Sequence, residues 1–132
     1  MTNIEQTIID FNITLLDLGL NLAHVCPNSI IGHNIKDVEK LIKNPKNKIK
    51  FIEIFVAKVL RYKSDIDSGN EDFFLHKSYD SDLDKDNSLI SKVFEFKNIW
   101  VQLKQENKDL VKQYMQILCE LAQNYFLYYY GS

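Results

Sequence analysis

The sequence predicts an all-α fold, a compact bundle of four to five helices forming a single domain over residues 1–132. Three observations predict it. Apolar residues recur at steps of three and four along most of the chain. No segment alternates polar and apolar residues for more than a few positions, so no strand is expected. A length of 132 residues with 45% apolar and 12% aromatic content is enough for one substantial core.

The first helix is expected from Thr2, whose hydroxyl can cap the amides three residues on while Glu5 reaches back. Ile4, Ile8, Phe11, Leu15, Leu18 and Leu22 then form one stripe, which Leu16 and Leu20 widen. Pro27 disfavours helical geometry at Cys26 and ends the run. Asn34 is read as the cap of a short second helix, with Ile35, Val38, Leu41 and Ile42 inward and Lys36, Lys40 and Lys43 outward. A third helix is predicted from Asn44 and Pro45, a capping residue followed by proline at the first helical position, and is expected to run to about Lys63 through Ile49, Ile52, Phe55, Val59 and Tyr62.

From Ser64 to Ser88 the periodicity fails. This stretch holds eight acids and two lysines around the island Phe73-Phe74-Leu75, and reads as a long acidic loop (64–88) between the third and fourth helices. The fourth helix should begin near Asn87 or Ser88 and carry Leu89, Val93, Phe96, Trp100 and Leu103 on its inner face. Asn107 is read as the cap of the fifth. That helix has two adjoining apolar stripes: Leu110, Tyr114, Ile117, Leu121, Tyr125 and Tyr128, and Val111, Met115, Leu118, Ala122, Phe126 and Tyr129. A face this broad either lies at the bundle centre or continues into a partner.

A formal charge of −2 gives no global attraction to nucleic acid or to an anionic membrane. No continuous apolar run reaches the roughly 18 residues of a spanning helix, so no membrane contact is expected. Two cysteines are too few for a disulfide framework, and the N-terminal residues lack the basic and apolar regions of a signal peptide, which points to a reducing compartment.

The most ligand-like stretch is Asp80, Asp82, Asp84 and Asp86. A calcium loop needs glycine at its sixth position and a bidentate glutamate at its twelfth, where Lys85 and Ser91 stand, so these acids read as a solvated loop. His24, Cys26 and His33 are the closest set of soft ligands, but their spacing matches no zinc pattern. Nucleotide-binding glycine loops and nucleophile elbows are missing from the sequence, which holds four glycines in all. No cofactor, metal or catalytic residue is expected.

Two surface features remain. Lys36, Lys40, Lys43, Lys46 and Lys50 could follow a phosphate backbone, although the chain's single arginine, Arg61, leaves it poor in the side chain that grips phosphate in bidentate fashion. The aromatic island Phe73 and Phe74, and the tail residues Tyr125, Phe126, Tyr128 and Tyr129, are candidate contacts for a protein partner, a second copy of the chain included.

The order of elements adds a resemblance. Phe11 and Leu15 in the first helix, then "FIEIFVAKVLRYKSDI", "EDFFL" and "IWVQLKQENKDLVKQYMQIL" with Trp100, Leu103, Asn107, Lys108, Val111, Tyr114 and Leu118 resemble small all-helical proteins of giant viruses, the nucleocytoplasmic large DNA viruses. The chain departs from that pattern at "CPNS", where a phenylalanine-proline would be expected. The resemblance implies a viral protein of the host cytoplasm or virion and carries over no site residue. The expectation is a non-enzymatic interaction or structural protein, with a nucleic-acid-associated factor using the lysine face of residues 36–63 as the alternative.

Overall fold

The computed structural model describes residues 4–71 and 99–131. Phe73, Phe74, His76, the aspartates from Asp80 to Asp86, the expected Thr2 cap and the run Leu89–Phe96 of the expected fourth helix lie outside the described residues. Within them the chain is all-α and forms a helical bundle. The helices are α1 (Ile4–Val25), α2 (Ile30–Lys43), α3 (Lys50–Lys58), α4 (Lys63–Asp67) and α5 (Gln105–Tyr130). Short 3₁₀ turns occupy Pro45–Asn47, Leu60–Tyr62 and Trp100–Gln102.

Helix α1 organises the bundle, packing most extensively on α5 and α2. Ile8, Phe11, Leu15, Leu18 and Leu22 are buried as their spacing requires. Asn21 meets Tyr114 at one end of α1, and Phe11 meets Phe55 towards the other, where Glu53 of the same helix α3 meets Tyr125. Helices α1 and α5 therefore run antiparallel. The outward residues Ile9, Ile13 and Leu20 are apolar as well, and this makes α1 long and apolar enough, by length and composition, to cross a membrane, with a mean hydropathy of 1.3. The expectation that no such segment exists missed it, because Asp10, Asn12 and Asp17 interrupt the run without lowering its average enough. In the bundle the inner stripe of this helix is core.

Several boundaries differ from those expected. Helix α2 starts at Ile30, not after Asn34, because Ser29 is the cap: its Oγ accepts from the Gly32 amide at 3.1 Å and donates to the Cys26 carbonyl at 2.6 Å. Asn44 and Pro45 do initiate a turn, but of 3₁₀ type, and α3 then ends at Lys58. The chain next re-forms helix as α4 inside the stretch read as acidic loop, since Ile66 is an apolar anchor with no exposed surface. Helix α5 begins at Gln105 with no side-chain cap, so Asn107 is not its N-cap.

Trp100 is fully buried, as its position among apolar residues predicted, yet it sits in a 3₁₀ turn and Leu103 after it is extended. Its ring is one of the fully buried side chains of the core. The indole Nε1 donates to Glu71 Oε1 at 2.8 Å, and Lys108 Nζ stands 5.7 Å from the ring centroid. Glu71 is thereby joined to Trp100 and Lys108 of the second described stretch.

Candidate functional site

Helix α5 is 26 residues long, and its two apolar stripes meet different fates. Val111, Met115, Leu118, Cys119, Ala122 and Tyr125 face α1, α3 and α4 and are buried. The other row, Leu110, Tyr114, Ile117, Leu121 and Tyr128, follows the four-three spacing of a helix-pairing seam, with Asn124 in register between the last two. Helix α1 covers it only in part, at Tyr114 and along one side of Leu110: Leu110 is 38% exposed, Ile117 49% and Tyr128 50%, while Tyr114 and Leu121 are partly buried.

Tyr114 anchors this row to α1. Its hydroxyl accepts from Asn21 Nδ2 at 2.8 Å, and burial, reinforced by the Asp17 carboxylate, holds the phenol above its ordinary pKa. A small cavity of about 10 Å³, room for at most one water, lies beneath it between Leu18, Leu22 and Val111.

At its C-terminal end the row joins an aromatic cluster. Tyr129 lies 4.7 Å from Tyr125 and 4.9 Å from Tyr128, and Phe126 lies 5.5 Å from Tyr130, centroid to centroid. Phe126, Tyr128 and Tyr129 are exposed, as a docking surface requires. Tyr125, expected among them, is only 3% exposed: its ring fills the core edge and its hydroxyl donates to Glu53 Oε2 at 2.5 Å. Burial first, and then that carboxylate, raise the Tyr125 phenol well above the tyrosine range. Tyr125 is a packing residue that ties α5 to α3.

The borders of the exposed row are acidic, a feature the sequence reading passed over. On α5, Glu106 and Glu120 stand fourteen residues apart beside it with the neutral Gln113 midway, a spacing the sequence alone could have revealed. On α1, Asp10 and Asp17 share the row of Asn21, the residue bonded to Tyr114. Next to Ile117 an open depression of about 430 Å³ is lined by Asp67, Gln113, Gln116 and Glu120. Lys63 bridges Asp67 at 2.5 Å and Glu120 at 2.9 Å, and these carboxylates raise its pKa. The α5 lysines lean elsewhere: Lys108 towards Glu71 and Trp100, Lys112 against Gly69, whose φ of 70° suits the turn after α4.

The lysines of the alternative reading are dispersed. Lys36, Lys40 and Lys43 line an open depression of about 540 Å³ on α2, but Glu39 lies within it and pairs with Lys43 at 2.8 Å. Lys46 stands on the 3₁₀ turn, Lys50 is half-buried at the start of α3, and Lys48 pairs with Glu5 across to α1 at 2.6 Å. His24 and His33 are exposed while Cys26 is buried, and among the described residues no three His, Cys, Asp or Glu side chains converge as metal ligands. In comparisons with protein-family models, curated proteins and solved structures, nothing matches the chain.

Proposed function

We propose that the protein is a non-enzymatic interaction or structural protein, and that its working surface is the uncovered apolar row of α5 with the aromatic tail that continues it. The observation that carries this reading is the exposure of Leu110, Ile117 and Tyr128 at helix-pairing intervals on a well-packed helix. Solvated helix faces are ordinarily polar, and this one is apolar at successive turns. The resemblance to giant-virus proteins supplies the setting: a large DNA virus, with the protein in the infected cytoplasm or the virion.

The test compares what copurifies with the wild-type chain and with an Ile117→Glu, Tyr128→Glu double variant. Both positions are half-exposed, so helicity and melting temperature should be retained while the partner is lost. An unchanged set of copurifying proteins would contradict the reading.

A second reading, a nucleic-acid-associated factor, draws on the depression that Lys36, Lys40 and Lys43 share. Salt separates the two, because phosphate contacts weaken steeply as salt rises and apolar docking does not. Lys36→Glu with Lys40→Glu would abolish binding under the second reading and leave it intact under the first.

A further inference from the structure

The charges bordering the α5 row say what kind of partner it accepts. A second copy would meet the row through a two-fold axis, which places the same patch on both sides. Each copy would then bring Glu106 and Glu120 on one border, and Asp10 and Asp17 on the other, against acids of its twin. Like charges juxtaposed at an interface are strongly disfavoured. Lys63 offsets part of one border, and its ammonium is already shared between Asp67 and Glu120. No lysine or arginine lies in either bordering row.

From this juxtaposition we infer that the α5 face binds a basic amphipathic helix of another protein, one carrying an apolar row flanked by lysine or arginine, and not a second copy of this chain. The inference rests on the docking-face reading above and specifies its partner. The apolar row of such a helix lies along Leu110, Ile117 and Leu121 as in other helix-in-groove complexes. Its cationic side chains reach Asp17 on one side and Glu106 on the other. The depression beside Ile117 admits one long basic side chain whose stem packs on Ile117 while its head meets the side-chain carbonyls of Gln113 and Gln116 and the negative charge that Lys63, one cation shared by Asp67 and Glu120, leaves unbalanced.

The experiment uses two fluorescent synthetic peptides of about 18 residues with leucines at coiled-coil spacing, one with lysine on both flanks and a twin with glutamate instead. Anisotropy is measured with the full chain at physiological salt. The basic peptide is expected to bind at least about tenfold tighter than its acidic twin, a difference of about 1.4 kcal/mol. Ile117→Ser should abolish that binding with helicity unchanged, and Asp17→Lys with Glu106→Lys should reverse the preference. If both peptides bind equally and both depend on Ile117, the charge inference falls and the docking face stands. Dimers of the chain alone, dispersed by Ile117→Ser, would have the same consequence. If no binding responds to Ile117→Ser, both fall together.

Discussion

Replacing Gly32 by alanine sets two effects of opposite sign against each other. Gly32 is in the first turn of α2, where intrinsic propensity alone favours alanine by about 1 kcal/mol. The surroundings oppose it. A Cβ built there would stand 2.4 Å from the Pro27 carbonyl oxygen and 2.5 Å from that of Cys26. Both obstacles are backbone, in the tight connection from α1, so no side chain can rotate away. Relief requires the start of α2 to move outward, which strains the packing of Ile31 and Ile35 over Gly19 and costs about 1–3 kcal/mol. The same shift weakens the Ser29 cap, worth about 1 kcal/mol. The net expectation is a loss of about 2 kcal/mol, or a fall in melting temperature of about 5–10 °C for a domain of this size. Thermal unfolding followed by circular dichroism measures it. A melting temperature that holds or rises would mean that propensity wins and that the close approach of the α1–α2 connection is wrong.

Trp100→Ala removes the largest fully buried side chain and should cost about 3–5 kcal/mol in chemical denaturation; an unchanged midpoint would place the ring at the surface. Glu71 is held below the ordinary glutamate value of 4.5, first by the Trp100 N–H and then by Lys108 and Lys112. Its depressed pKa means that the contribution is complete above that ordinary value and is lost as pH falls through the lower folded one. The fluorescence of Trp100, the single tryptophan, should therefore titrate below pH 4.5, and Glu71→Gln should remove the transition; a midpoint above 4.5 would contradict the contact. Burial pushes the Cys119 thiol up to about 12 and raises Cys26 too, so thiol reagents near neutral pH should label the native protein slowly and the unfolded chain fully. Rapid native labelling of Cys119 would contradict its place in the core.

Periodicity carried the long helices. The inner stripe of α1 needed only the recurrence of Phe11, Leu15, Leu18 and Leu22, and Pro27 marked the stop. Short elements were harder, because one side chain decides them. Ser29 prevailed over Asn34 as a cap through its two hydrogen bonds, whose geometry depends on how closely Gly32 approaches Cys26 and Pro27. Helix α4 was hidden among acids because its sole anchor is Ile66, covered by α5 through contacts distant in sequence; Gln116 Nε2 donates to the Ile66 carbonyl at 3.2 Å. The two stripes of α5 were visible, but which of them faces inward depends on where α1, α3 and α4 lie. Tyr125 shows the limit. It borders both rows by spacing, and only Glu53, 72 residues away in the chain, draws it into the core. The acidic borders were legible in Asp10 and Asp17, seven residues apart, and in Glu106 and Glu120, fourteen apart, and became informative once α1 was known to bring Asp17 to the same face.

The proposed role of the exposed face of α5 is to dock another protein. Photo-crosslinking in the producing cell tests it most directly, with a photoreactive phenylalanine analogue placed in turn at Ile117, at Leu110 and, as a control on the lysine face, at Lys40. All three positions are exposed, so each variant should fold. A discrete protein adduct is expected from positions 117 and 110 and none from 40. Adducts from position 40 alone, with nothing captured at 117 or 110, would contradict it.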